Sequence, residues 1–297
     1  MTFNFMGAKK IWLAISLLVT LVGLASLAFR GLNLGIDFTG GSTLELQLQR
    51  PVTTYEVRQA LDPVGLGDSQ VQLTQEGQRQ GVFLRTRPLT GQQGEEVIKA
   101  LRSKLGDFEL VQFEEVEGVI SQELIRNAFW ALAIAAAGMV VYITLRFELK
   151  FAVTGVVAIL HDVLITVGLY SLLGREVSSP FVAVVLTIVG YSINDTIVVY
   201  DRIRENLKQR RKENLEQLVN RSINETFARS VNTVVTTLLA IVAVFLFGGP
   251  TTKNFALALI IGITSGAYSS IFIASALWLM WKEWEEKRRR IPARVAR

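Results

Sequence analysis

Long apolar runs alternate with polar connectors along this chain, and one long stretch of mixed polarity interrupts them near the start. The apolar runs cover about 11–29, 124–145, 151–173, 181–200, 231–247 and 255–281. Each approaches the roughly 20 residues that a helix needs to cross a bilayer. The pattern predicts six membrane spans. Lys9 and Lys10 ahead of the first run resemble the head of a secretory signal, but the run is too long for a signal's apolar core.

Between 30 and 122 the period shortens. Leu44, Leu46 and Leu48 alternate with polar positions, as a half-buried strand over 42–49 requires. Thr53 and Thr54 cap a helix over 55–61 that Pro63 stops. Runs 71–75 and 82–86 flank a Gly77…Gly81 turn and read as a hairpin. Thr90 opens a second helix carrying Val97, Ile98, Leu101 and Leu105, Gly106 ends it, and 108–116 is a last strand. This βαββαβ order is the ferredoxin-like arrangement. Its acidic residues (Glu95, Glu96, Glu114, Glu115, Glu117) read as a solvated face. The fold class is therefore an α-helical membrane protein with an external α+β domain. The expected division is 1–29 for the N-terminus and first span, 30–122 for the external domain, 123–281 for the other five spans with a cytoplasmic loop at 201–230, and 282–297 for a basic cytoplasmic tail.

Composition agrees: 50% of residues are hydrophobic. The net charge of +5 is distributed by side. Lys9, Lys10, Arg146, Lys150, the basic cluster from 202 to 229 and the tail share one side, while the two short loops opposite hold only Arg175 and Lys253. Positive charge marks the cytoplasmic face, which puts both termini inside. The basic balance then reflects orientation and contact with anionic lipids. Nucleic acid is excluded as a partner, because the segment from 202 to 229 holds a single aromatic, Phe227. There is no cysteine and one histidine, His161, which rules out cysteine zinc sites, Fe–S clusters and a multi-histidine metal site. No cofactor, no metal and no enzymatic constellation are expected.

Polar positions inside the spans carry the candidate chemistry. The fourth run contains Asp195, and a carboxylate at that depth costs about 2.5–3.5 kcal/mol on insertion scales. Thr187, Tyr191 and Asp195 recur at helical spacing, with Asn194 alongside. The fifth span offers a second stripe of Arg229, Asn232, Thr233, Thr236 and Thr237, with Arg229 at its start. The third carries His161 and Asp162, with Thr166 one turn on; both are open to reading as relay members or as structural hydrogen-bond partners. Gly262, Gly266, Ser269 and Ser270 give the sixth span a small face for close helix approach. Asp201, Arg202 and Arg204 fall at the water interface as solvated or lipid-facing charges. Burial favours a protonated acid and a nearby guanidinium favours its carboxylate, so Asp195 and Arg229 form a pair whose protonation could switch as helices shift. Earlier in the chain, Gly35, Asp37, Gly40 and Gly41 sit in Gly-Ile-Asp-Phe-Thr-Gly-Gly-Ser (35–42), which reads as a glycine-rich connector with an Asx-type turn at Asp37. No Gly-Lys-Ser/Thr follows to make it a phosphate cradle.

The string Gly-Tyr-Ser-Ile-Asn-Asp-Thr-Ile-Val-Val-Tyr-Asp-Arg-Ile-Arg-Glu-Asn (190–206) closely resembles the SecF family. Matches at 35–42, Leu-Arg-Phe-Glu (145–148), Leu-His-Asp (160–162) and Arg-Ser-Val-Asn-Thr (229–233) follow in order along nearly the whole chain. The resemblance implies half of the SecDF complex, related to resistance-nodulation-division (RND) transporters. It implies use of the proton-motive force to promote Sec-dependent export across the bacterial cytoplasmic membrane, with Asp195 as proton carrier and Arg229 as its partner. It also implies a separate SecD chain that completes a twelve-span pseudo-symmetric unit, the SecYEG translocon and preproteins as further partners, and YajC alongside them. The competing readings are an RND exporter of lipids or small molecules, a passive scaffold or insertase with structural aspartates, and an intramembrane aspartyl protease using Asp162 and Asp195. The half-length chain argues against the exporter and the flanking motifs against the protease.

Overall fold

A computed structural model describes residues 3–76, 79–210 and 213–290. In chain order the elements begin with α1 (Lys9–Arg30), β1 (Asn33–Leu34), α2 (Ile36–Thr39), β2 (Gly41–Leu48), α3 (Thr54–Leu61), β3 (Gln70–Glu76), β4 (Arg79–Thr86), α4 (Gly91–Leu105) and β5 (Phe108–Val116). They continue with α5 (Gly118–Arg146), α6 (Leu149–Leu172), β6 (Glu176–Val177), α7 (Ser179–Lys208), α8 (Leu215–Phe247), α9 (Pro250–Ser269), a π-helical segment (Ser270–Ala274) and α10 (Ser275–Arg290). The chain divides into two compact units, Leu34–Phe129 and the remainder, Met1–Asn33 with Trp130–Arg297.

The first unit is the ferredoxin-like domain. Its strands run antiparallel in the order β3-β4-β2-β5. Leu44 faces Leu84 and Leu46 faces Val82 across the β2–β4 pair. These side chains form one core with Val57, Ala60 and Leu61 of α3 and Val97, Leu101 and Leu105 of α4. Thr53 caps α3 by accepting from the Glu56 amide at 3.2 Å, and Pro63 follows in a 3₁₀ turn. Thr90 and Gln93 form a reciprocal capping box at α4. One expectation is corrected: Gly81 is not part of the hairpin turn but sits within β4, opposite Thr74 and Gln47. A Cβ there would lie 2.4 Å from the Thr74 hydroxyl, so close strand approach is what wants glycine. Of the expected turn, residues 77 and 78 lie outside the described residues.

The glycine-rich connector is also more ordered than a loop. Residues 36–39 close into the single helical turn α2, and the Thr39 and Gly40 amides donate to the Gly35 and Ile36 carbonyls. Gly40 (φ 71°) and Gly41 (φ 133°) then turn the chain into β2 in conformations open to glycine. A Cβ on Gly41 would come within 2.6 Å of the Thr86 carbonyl oxygen. The double glycine is a folding requirement of this junction.

Among the described residues six helices are long and apolar enough to span a membrane: Met6–Arg30, Gly118–Arg146, Leu149–Leu172, Ser179–Lys208, Leu215–Phe247 and Thr252–Arg288. The expected cytoplasmic loop at 201–230 is corrected to a short connection, because α7 continues to Lys208 and α8 begins at Leu215. Hydropathy marks only the lipid-bathed part of a helix, whereas these polar extensions gain their order from neighbours. Arg202 bridges Glu225 and Glu205, each at 2.6 Å, and Asn206 donates to Ser222 at 2.9 Å. Arg146 pairs with Asp201 at 2.8 Å and Arg210 with Glu286 at 3.0 Å. Lys9 reaches Glu216 and Glu283 at 3.1 and 3.0 Å. Asp201 and Arg202 are thus ion-paired while remaining partly exposed at the surface.

Helices α1 and α6 show how small residues set helix spacing. Ser16, Gly23 and Ser26 meet His161, Gly168 and Ser171 at a constant sequence offset of 145, which makes the two helices parallel. A Cβ on Gly168 would stand 2.7 Å from the Gly23 Cα. The backbones touch there, and the flanking hydroxyls bond across. On the other side of the bundle, Gly262 and Gly266 of α9 lie against Ile188 and Ser192 of α7.

Candidate functional site: two carboxylates in the bundle

Asp162 and Asp195 both lie in the helical unit, in different surroundings. Asp162 of α6 is 0% exposed. Its Oδ2 accepts from Ser192 of α7 and Ser269 of α9, both at 2.6 Å. Its Oδ1 accepts from Ser265 of α9 at 2.7 Å and faces His161 Nδ1 at 3.0 Å. His161 Nε2 in turn meets Ser16 of α1 at 2.5 Å, and Thr166 donates to the Asp162 backbone carbonyl. One carboxylate therefore gathers polar groups from α6, α7 and α9, and through His161 from α1.

Asp195 of α7 is 8% exposed. Its Oδ1 accepts from Ser230 of α8 at 2.5 Å. Its Oδ2 is buried without a hydrogen-bond partner among the described residues. Arg229, expected as the ion-pair partner, stands exposed on α8 beside Ser230, and no ion pair within 4.0 Å joins it to Asp195 among the described residues. Since α8 starts at Leu215, Arg229 occupies the middle of a long helix rather than its beginning.

The two polar stripes lie on the outside of the bundle. Thr187 and Asn194 of α7 are exposed, as are Asn232, Thr233 and Thr236 of α8. Tyr191 of α7 links to Thr237 of α8 at 3.4 Å. The threonine hydroxyls return to their own helices: Thr187 to Ala183, Thr233 to Arg229, Thr236 to Asn232 and Thr237 to Thr233. That leaves Asn194 and Asn232 as polar side chains on an exposed face within the apolar runs, with Arg229 on the same face two residues ahead of the fifth run.

Sequence reasoning pointed to both aspartates but not to their donors. Ser230 lies inside the 229–233 string and Ser192 beside Asp195, yet a serine in a membrane helix is as readily packing as chemistry. Ser265 and Ser269 had a weak signal, since they continue the small face begun by Gly262 and Gly266. Gly35, Asp37, Gly40 and Gly41 belong to the other unit and form its junction.

Comparison with known proteins agrees with this architecture. Residues 96–284 match the family described as Protein export membrane protein SecD/SecF, C-terminal. Residues 25–52 match the SecD/SecF GG Motif, which here is the Gly40–Gly41 junction. The protein translocase subunit SecF of Alicyclobacillus acidocaldarius is 42% identical, over 94% of this chain and 93% of its own. The chain belongs to the SecF family. It also matches the longer protein translocase subunit SecDF of Bacillus subtilis at 36% identity, covering 96% of this chain and 39% of that one. The crystal structure of SecDF from Thermus thermophilus, titled a translocon-associated membrane protein, superposes with a TM-score of 0.86 at 40% identity. That match covers 95% of this chain and 39% of the longer one. This is a SecF-like subunit of protein translocation, resident in the bacterial cytoplasmic membrane.

Proposed function

We propose that this chain is the SecF half of a unit that draws on the proton-motive force to promote protein export, with Asp195 taking up and releasing the proton. The observation that carries the reading is the half-satisfied carboxylate: one Asp195 oxygen is held by Ser230 and the other is buried without a partner among the described residues. An acid so placed can bind a proton at Oδ2 without breaking its existing hydrogen bond. Arg229 tunes the site by its charge one residue from Ser230, and it would act across the stripe rather than through a close ion pair. One charge crossing the full field is worth about 2.3 kcal/mol per 100 mV. The role proposed moves a proton on and off Asp195 and converts no substrate, so on this reading the subunit is not an enzyme.

A partner is part of the proposal. Asparagines exposed toward lipid, with an arginine at the edge of the same face, are costly, and a second set of helices covering the α7/α8 face would remove that cost. Relatives in which both halves form one SecDF chain point to a separate SecD as the partner. The charge distribution supports termini on the cytoplasmic side, where Lys and Arg meet anionic lipid. The ferredoxin-like domain then lies on the far side, where an emerging preprotein and the SecYEG translocon, with YajC, would be engaged.

The test is export into membrane vesicles under an imposed proton gradient, with SecD supplied. Asp195→Asn keeps the volume and loses the titrating acid. It should assemble and lose gradient-dependent stimulation; full stimulation in that variant refutes the proposal.

A further inference from the structure

We infer that Asp162 is the hub of a hydroxyl socket, a positioning residue that sets how α7 presents Asp195 rather than a second proton carrier. The inference rests on the reading of Asp195 as the carrier and goes beyond it by giving the second buried carboxylate a different task.

The argument is one of hydrogen-bond capacity. An ionised carboxylate only accepts, with room for about four donors on its two oxygens. Asp162 meets four: the hydroxyls of Ser192, Ser265 and Ser269, and His161 Nδ1. Both Asp162 oxygens are thus engaged twice over, so a change at this carboxyl has to rearrange contacts on three helices, whereas Asp195 Oδ2 has no partner among the described residues. His161 faces Asp162 through Nδ1 and the Ser16 hydroxyl, which can donate or accept, through Nε2. Either direction keeps the bridge to α1. Among the described residues, no charged side chain other than His161 bonds to Asp162; α1, α7 and α9 contribute serines.

The link to Asp195 runs along α7. Ser192 lies three residues before Asp195, one helical turn away on the same side. Its hydroxyl is tied to Asp162, its backbone carbonyl accepts from Thr196, and its flank lies against Gly266 of α9. Ser270, first residue of the π-helical segment, bonds Thr196 at 2.9 Å. Segments of π-helix are rare and cluster at functional sites; this one begins directly after Ser269, a socket donor. Rotation of α7 is thereby fixed from the Asp162 side, and that rotation decides whether Asp195 meets Ser230 or turns from it.

Infrared difference spectroscopy on the membrane complex with SecD, using isotope-labelled aspartate, tests this. On acidification the solvated aspartates give carbonyl bands of their own, and one further band should appear at the higher frequency of a weakly hydrogen-bonded buried acid; Asp195→Asn should abolish that band. Asp162→Asn should leave the band present but displaced in frequency, because the Asp195–Ser230 hydrogen bond changes. Ser192→Ala should displace it in the same sense, and Asp162→Glu should return it toward the wild-type position. A band lost in Asp162→Asn would show that Asp162 itself titrates and would overturn the inference. So would an Asp195 band unmoved by Asp162→Asn or by Ser192→Ala, the latter also serving if the former fails to assemble. Export by Asp195→Asn judges the carrier reading independently. Normal export there, with the band still displaced by Asp162→Asn, sinks that reading and leaves the positional coupling intact.

Discussion

Asp162 and Asp195 are two carboxylates in one membrane bundle, and their surroundings differ in the count of donors. Asp162 has four partners drawn from three helices, while Asp195 has one and keeps an oxygen open. The first lies in the interior, where α6, α7 and α9 converge. The second lies next to the α7/α8 face, whose polar residues are exposed in this chain alone. Burial by itself does not distinguish them. What separates a structural acid from a transporting one is whether a proton can arrive without dismantling a network.

The largest expected effects fall on opposite properties. Asp195→Asn should eliminate gradient-driven export while leaving thermal unfolding of the purified complex close to wild type, since a single hydroxyl contact is at stake. Asp162→Ala should do the reverse in kind and collapse the bundle. It takes the Asp162 acceptor from three buried hydroxyls and a histidine; Ser269 keeps the Gly266 carbonyl at 3.2 Å, while the Ser192 and Ser265 hydroxyls and His161 Nδ1 lose their partner at about 1–3 kcal/mol each, so a loss of at least ~3 kcal/mol is expected in denaturant-driven unfolding. If Asp162→Ala unfolded like the wild type, the socket would not hold the helices, and the contrast between the two acids would fail.

These contrasts were only partly legible in the sequence. Hydropathy located every span, and the alternation of Leu44, Leu46 and Leu48 placed the central strand of the sheet. Helix ends were not legible: α8 begins at Leu215, ahead of its apolar run, because ion pairs and Asn206–Ser222 order it where lipid does not. A lone carboxylate in an apolar run is conspicuous, so both aspartates stood out. Their donors did not, because a serine is equally suited to packing and to hydrogen bonding, and the choice depends on which helix faces it. Arg229 was conspicuous by its charge, but which residue of its helix touches Asp195 was not legible: Ser230 makes the contact, and Arg229 stands exposed beside it.

An intermediate effect probes the scaffold behind the socket. Gly168→Ala would drive a methyl to within 2.7 Å of the Gly23 backbone, and overpacking of this kind costs about 1–3 kcal/mol. Since His161 reaches Ser16 along the same α1–α6 seam, the spreading should also disturb the socket's outer link. Unfolding of Gly168→Ala should be easier than that of Gly190→Ala, because a Cβ on Gly190 meets nothing within 4 Å. Equal stability of the two would mean that α1 and α6 can separate freely, and that the bridge to α1 adds nothing to the Asp162 network.

The smallest effect belongs to a single spoke of that network. Ser265→Ala removes one hydroxyl from Asp162 Oδ1 and leaves His161 on the same oxygen, with Ser192 and Ser269 still on Oδ2. The carboxylate loses one of four donors, the alanine methyl fills nearly the same space, and no new unsatisfied donor is created. Individual hydrogen bonds between membrane helices average about 0.6 kcal/mol in mutant cycles, so Ser265→Ala should cost roughly that much and leave gradient-driven export near wild type. Ser230→Ala, by contrast, takes from Asp195 Oδ1 its one hydrogen-bond donor among the described residues and should alter export more than stability. Measuring unfolding and export for both serines places two similar deletions on two different axes. If Ser265→Ala cut export as deeply as Ser230→Ala, the two carboxylates would be acting as one coupled site, and the distinction drawn from their donor counts would have to be abandoned.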